Sequence, residues 1–209
     1  MIIVDYERGN LYSLGQAIRH VSELPFEITS DPDRIRRADR VVLPGVGAFG
    51  DGMTGLRARA LDASVIERAR AGIPMLGICL GMQMFARQGL EFGAHDGLGL
   101  LAGVVRRLPE GDPMSSDAIR VPNVGWRSLA VARPTPLMSG LEDSPMVYFV
   151  HSYYFDAETP DDVVATTPVN GCAVPAIVQR GALVGMQFHP EKSGSIGLAL
   201  IRNFLTHVA

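Results

Sequence analysis

Cysteine is scarce in this chain of 209 residues: Cys79 and Cys172 are too few for a disulfide framework. Charge excess is also lacking. Nineteen Lys and Arg against 22 Asp and Glu leave a formal net charge of −3, without the basic footprint of a nucleic-acid-binding surface. No stretch of about 18 consecutive apolar residues offers a membrane span. The opening residues, Met1-Ile2-Ile3-Val4-Asp5-Tyr6, read as a short strand with neither basic leader nor cleavage site, so no signal peptide is expected. His, Cys, Asp and Glu do not cluster at ligand spacing, so neither a metal nor another cofactor is expected. There is no internal repeat, low-complexity tract or linker. What remains is globular in composition, 47% hydrophobic and 20% charged. The length suits one domain over residues 1–209 with an ample core.

The first half alternates strand and helix patterns. Strands are expected at Ile2–Asp5, Phe26–Thr29, Arg40–Leu43 and Pro74–Ile78, with helices at Leu11–Val21, Pro32–Ala38 and Ala63–Ala71. Asp31-Pro32 is a helix start, a capping residue followed by proline. This alternation implies an α/β fold with a central, mostly parallel sheet flanked by helices. Ligands then bind beyond the carboxyl ends of the strands. The second half reads as strands with short turns: Val104–Leu108, Ser128–Val131, Met146–Val150, Val163–Thr166, Ala176–Gln179 and Val184–Phe188. It closes on a helix, Ile196–His207, and implies an antiparallel second layer. Glu110–Asp117 is the most loop-like segment.

The most informative segment is Gly77-Ile78-Cys79-Leu80-Gly81-Met82-Gln83. An apolar run enters it and a helix-compatible stretch, 82–87, leaves it, so Cys79 falls at a sharp strand-to-helix turn. This is a nucleophile elbow with sulfur in place of oxygen. Flanking glycines suit a strained turn, and a helix start behind the sulfur favours the thiolate. A cysteine in an apolar run can instead be a small core residue. Cys172, in Asn170-Gly171-Cys172-Ala173, has no base nearby in sequence and reads as structural.

The decisive complement lies 110 residues downstream, in Met186-Gln187-Phe188-His189-Pro190-Glu191. This reads as a strand ending at His189, with Pro190 keeping the chain extended. Residues i and i+2 of an extended chain share a side, so Glu191 can orient one nitrogen of His189 and leave the other free. A nucleophile, a base and a group that orients the base make a triad.

Cys79 at an elbow with His189-Pro190-Glu191 resembles the class I, triad-type glutamine amidotransferases, which share a flavodoxin-like fold. Pro44-Gly45-Val46-Gly47-Ala48-Phe49-Gly50-Asp51, Tyr148-Phe149-Val150-His151-Ser152-Tyr153-Tyr154 and Gly185–Ser193 narrow the resemblance. They look like the glutaminase subunits of imidazole glycerol phosphate synthases, and the likeness runs from Asp5-Tyr6 to the last helix. The resemblance implies hydrolysis of L-glutamine through catalytic Cys79, His189 and Glu191. It implies an oxyanion hole from the N–H groups of Leu80 and Val46, with Gly45 and Gly47 letting the loop reorient. It implies substrate contacts at Gln83, Glu91, His151, Ser152 and Tyr153. It further implies a heterodimer with a (β/α)₈-barrel cyclase that receives ammonia, with Asn10, Asn123, Trp126 and Arg127 toward that partner. A working thiol needs a reducing compartment, so cytoplasm is expected.

Two segments depart from the family pattern. Val121-Pro122-Asn123-Val124-Gly125-Trp126-Arg127 resembles VPHxGWN, with Asn123 in place of His and Arg127 in place of Asn. Asp5-Tyr6-Glu7-Arg8-Gly9-Asn10 carries a Glu-Arg pair where small or apolar residues are usual. These departures admit a duplicate that delivers ammonia to another synthase, for example in the amidation of surface sugars. A cysteine hydrolase that does not use glutamine and a non-catalytic scaffold are the readings from other classes.

Overall fold

The computed structural model describes residues 1–112, 114 and 118–208. In chain order the first half contains β1 (Ile2–Val4), α1 (Leu11–Val21), β2 (Glu27–Thr29), α2 (Pro32–Arg36), β3 (Val41–Leu43), α3 (Phe49–Ala58), α4 (Leu61–Arg70), β4 (Met75–Ile78) and the single-turn α5 (Leu80–Gln83). Then come β5 (Gln88–Gly89), β6 (His95–Asp96), β7 (Gly103–Arg107), β8 (Asn123–Ser128), β9 (Ala130–Val131), β10 (Met146–His151) and β11 (Tyr153–Ala157). The chain closes with β12 (Val163–Val169), β13 (Cys172–Arg180), β14 (Leu183–Met186) and α6 (Gly194–His207). Of the loop read at 110–117, residues 113 and 115–117 lie outside the described residues.

Helix α1 occupies the expected residues because Asn10 caps it, its Oδ1 accepting the Ser13 N–H at 3.3 Å. Asp31 caps α2 in the same way and Pro32 opens it, but α2 ends at Arg36, short of Ala38. Helix α3 has little sequence signal, since three of its ten residues are glycine and Ala48 offers no capping side chain. Its cap comes from a distant loop: Glu91 Oε2 accepts the Phe49 N–H at 2.8 Å.

The main sheet runs β2-β1-β3-β4-β14-β13-β12-β9. Its first five strands are parallel neighbours, as the alternating pattern implies. The antiparallel half is divided. Strands β13, β12 and β9 extend the main sheet, while β8–β10 and β11-β7-β5-β6 form two smaller sheets. The central strands β1, β3, β4 and β14 are apolar and buried throughout, the signature of a sheet covered on both faces. Their side chains alternate between two cores. Ile2, Val4, Val41, Leu43 and Met75 join the cluster beneath α2, α3 and α4, whereas Ile3, Val42, Leu76 and Ile78 join the one beneath α1 and α6.

At the junction of β4 and α5 the backbone passes too close for side chains. A Cβ on Gly81 would lie 1.8 Å from the Leu43 carbonyl oxygen. One on Gly77 would lie 2.6 Å from the Phe85 ring and 2.7 Å from the Met82 nitrogen. Gly81→Ala is therefore expected to destabilise the fold by more than about 3 kcal/mol, because the obstructing atom is backbone and cannot step aside. Urea unfolding checks this, and a parent-like midpoint would refute the close approach.

Candidate active site

Strands β4 and β14 pair in parallel, with Met75 opposite Leu183 and Ile78 opposite Met186. Both strands end at one edge of the sheet, and Cys79 and His189 follow those ends. Cys79 sits at φ 52° and ψ −111°, in the positive-φ region that a side chain rarely adopts. Such strain costs on the order of 1–3 kcal/mol and persists only where the surroundings impose it. Here they do: the Cys79 N–H donates to the Met186 carbonyl at 2.7 Å, and Gly81 locks against Leu43. The elbow is thus present as read. The helix behind it is not, because α5 is one turn long and the chain tightens through Phe85 N–H to Met82 and Ala86 N–H to Gln83. The support for the sulfur comes from the side chains of Gln187 and His189, which hydrogen-bond to it, not from a long helix dipole.

His189 and Glu191 meet as expected, by a different route. Strand β14 ends at Met186, and Glu191 lies in a 3-10 turn over Pro190–Lys192. The segment between is held by other partners, with Gln187 N–H donating to Ala176 and His189 N–H to Tyr148. His189 Nδ1 lies 2.9 Å from Glu191 Oε1, and the two side chains are only 5% and 4% exposed. Burial alone would lower the imidazole pKa. Hydrogen bonding to Cys79 and Glu191, reinforced by their charges, outweighs burial and raises it to about 10. The arrangement therefore holds an imidazolium beside the Cys79 sulfur through the neutral range, and that charge is lost as pH rises through about 10.

Both expected oxyanion donors are already engaged. The Val46 N–H donates to the Arg8 carbonyl at 2.9 Å, and the Leu80 N–H donates to the Gly45 carbonyl at 3.3 Å. The Gly45 carbonyl thus takes up the donor that an oxyanion would need. Beneath this loop lies Tyr6, whose hydroxyl donates to the Pro44 carbonyl at 2.8 Å. Burial holds that phenol far above its usual pKa, and the nearby Cys79 charge adds to the effect.

A cleft of about 400 Å³ opens onto Cys79 and His189. Val46, Gly47, Leu80, Gln83, Glu91, His151, Ser152 and Tyr153 all line it, so every residue nominated for substrate contact reaches one space. Gly45 lies outside it, in a small cavity with Asn10, Pro44 and Glu191. Gln83 is less free than expected. Its amide donates to the Tyr153 carbonyl at 2.8 Å and to Gln187 Oε1 at 3.0 Å.

The residues assigned to a partner surface divide. Asn10 is exposed and Trp126 is 48% exposed, but Asn123 is fully buried. Strand β8 pairs with β10, placing Asn123 opposite His151 on the inner side of this ribbon. Asn123 Nδ2 lies 3.1 Å from His151 Nε2, and Asn123 Oδ1 accepts from Arg127 Nε at 3.1 Å. Asn123 is corrected to an interior residue that supports His151, and the half-buried Arg127 supports Asn123. Gln187, fully buried with its amide 3.7 Å from Cys79 Sγ, was not among the nominated site residues. Its place two residues before His189 was the available signal.

Among the described residues, no group of three His, Cys, Asp or Glu side chains could hold a metal ion. No helix among them is long and apolar enough to cross a membrane. A family model for class-I glutamine amidotransferases matches residues 2–208. The chain belongs to the class-I glutamine amidotransferase family. Relatives of this amidotransferase include the imidazole glycerol phosphate synthase subunit HisH of Symbiobacterium thermophilum, 45% identical over 98% of this chain and 92% of that one. The subunit of the same name from Oceanobacillus iheyensis is 42% identical over 97% and 96%. Among solved structures, PurLQS from Thermotoga maritima superposes with a TM-score of 0.72 at 20% identity, covering 100% of this chain and 98% of that one. At that identity the superposition supports the amidotransferase fold alone.

His151 of this amidotransferase is held in one state. Its Nδ1 lies 2.9 Å from the Tyr153 carbonyl, which can only accept, so Nδ1 carries the proton and Nε2 accepts from Asn123. Burial lowers its pKa to about 4 against the opposing effect of the Tyr153 hydrogen bond, and the His189 charge lowers it further. A lowered pKa makes the native state bind fewer protons than the unfolded one. The stability contribution is complete above about pH 6.5 and is lost as pH falls toward about 4. Nitrogen NMR of the His151 ring should report the neutral Nδ1–H tautomer from pH 7 down to 5. A titration midpoint near 6.5 would contradict it.

Proposed function

We propose that this chain is the glutaminase subunit of an imidazole glycerol phosphate synthase, one glutaminase domain that supplies ammonia for histidine biosynthesis. The observation that carries the chemistry is Cys79 on a strained elbow beside a buried His189–Glu191 pair, in one cleft. The specific pathway rests on the near-full-length identity to subunits of that name.

In this reading the Cys79 sulfur attacks the side-chain amide carbon of glutamine. The C–N bond breaks as His189 passes a proton to the departing ammonia, leaving a thioester. Water, deprotonated by His189, then attacks the thioester and releases glutamate and free Cys79. Glu191 keeps the imidazole in the tautomer that serves both steps. Glu91, His151, Ser152 and Tyr153 supply the polar lining for the amino-acid end of the substrate. The tetrahedral oxyanion needs donors, each worth about 10²–10³ in rate. Freeing Leu80 N–H requires the Gly45 carbonyl to turn away, and freeing Val46 N–H requires release from Arg8. The chain by itself is therefore a poor glutaminase, and closing the hole is the natural point of control.

Ammonia must leave without meeting water, which calls for a partner over the cleft. The β8–β10 ribbon offers a suitable face. Its inner side carries Asn123, Val147, Phe149 and His151, whereas Val124, Trp126, Met146 and Val150 are exposed on the outer side. Val46, 42% exposed, adds an apolar group on the oxyanion loop. We assign the (β/α)₈-barrel cyclase subunit to this face, in a heterodimer. The departures at Asn123 and Arg127 leave that outer face unaltered, since Arg127 bonds to Asn123 and Asn123 to His151 on the inner side. The free thiol fits a reducing compartment such as the cytoplasm.

Glutamine hydrolysis is expected to be slow for the chain alone and strongly stimulated by a cognate barrel subunit with its ribonucleotide substrate. Cys79→Ala should remove at least about 10³-fold of the stimulated rate. Hydrolysis that survives Cys79→Ala would refute the triad, and an unstimulated but intact enzyme would refute the partner.

A further inference from the structure

The triad leaves one buried polar chain unexplained. Gln187 is fully buried and lies on the segment between β14 and His189, and its amide nitrogen is 3.7 Å from Cys79 Sγ. Gln83, 5% exposed, stands behind it. The two carboxamides are linked by a 3.0 Å hydrogen bond.

Their orientations are fixed by a group that cannot be reversed. The Tyr153 carbonyl can only accept, and the Gln83 amide nitrogen lies 2.8 Å from it. The same nitrogen then gives its second proton to Gln187, so Gln187 presents its oxygen to Gln83. The Gln187 NH₂ must therefore face the sulfur. Reversing Gln187 would set two NH₂ groups against each other and turn its carbonyl oxygen toward an anion. His151 Nδ1 fills the other lone pair of the same carbonyl at 2.9 Å, so the anchor is saturated.

We propose that Gln187 is a further catalytic residue of the Cys79 centre: its carboxamide NH₂ donates to the thiolate, and Gln83 is the positioning residue that holds it in that orientation. The proposal deepens the glutaminase reading and rests on Cys79 being its nucleophile. A buried sulfur anion sees few dipoles, so one oriented donor weighs more than it would in water. On this account the thiolate has two supports of different kinds. His189 supplies a charge that can move as a proton. Gln187 supplies a dipole that cannot, and it faces the sulfur whenever the thiolate is free, before attack on the amide and again as glutamate leaves. Gln83 thereby acquires a second role beside lining the cleft.

The test reads the thiol and not turnover, so it stands apart from success or failure of the glutaminase reading. Cys79 alkylation by iodoacetamide is followed against pH by mass spectrometry, with the exposed Cys172 as internal reference. Gln187→Met keeps the approximate shape and removes the donor. Its alkylation midpoint at Cys79 should rise by about one pH unit, as expected for a lost hydrogen bond to a charged group. Gln187→Glu should raise it further, and the Cys172 profile should not move. A folded Gln187→Met with the parent profile would overturn the proposal. Should these variants fail to fold, the parent protein still answers. The Gln187 side-chain NH₂ resonances should shift with pH in step with Cys79 ionisation and lose that dependence in Cys79→Ala. Resonances indifferent to Cys79 would equally overturn it.

Discussion

Everything at the site depends on the parallel pairing of β4 with β14. That pairing joins residues 110 positions apart and sets Ile78 beside Met186, so the chain leaves both strands at one level. The Cys79 N–H closes the arrangement on the Met186 carbonyl at 2.7 Å. Slipping the pairing by one residue would turn Val184 and Met186 from their core to the opposite face. The buried apolar faces therefore fix the register, and the register fixes the distance between nucleophile and base. Packing energy spread over the sheet holds a strained cysteine that local preference would reject.

Around this fixed centre lies a less settled rim. The triad is assembled, with the histidine buried and bonded to its carboxylate. The oxyanion loop is not, because the carbonyl of Gly45 and the N–H of Val46 are both turned to partners within the chain. A site with a finished nucleophile and an unfinished oxyanion hole is suited to waiting. On the proposed reading, hydrolysis stays slow until something displaces the loop, as suits an enzyme whose useful product is ammonia delivered elsewhere.

The Cys79 elbow and the His189–Glu191 pair were legible in the sequence because their constraints are local. Gly77 and Gly81 mark a turn with no room for side chains, and His189-Pro190-Glu191 encodes its pairing within three residues. The parallel strands were legible as short apolar runs, and α1 as a capped periodic segment. Helix α3 was not, since its glycines conceal the period and its cap arrives from Glu91. Asn123 was read toward the surface because β8 does not announce itself, and without the strand its inward alternation is invisible. The contact of Gln187 with Cys79 also escaped, although the chain is short between Gln187 and His189. The sheet register is what returns this side chain to the sulfur.

The central claim is that Cys79, and not the exposed Cys172, is a nucleophile shaped for glutamine. The most direct measurement is covalent labelling by an electrophilic glutamine analogue, mapped by mass spectrometry. The account predicts one adduct at Cys79, prevented by excess L-glutamine, with Cys172 unmodified. Equal labelling of both cysteines, or labelling that L-glutamine does not compete, would contradict it.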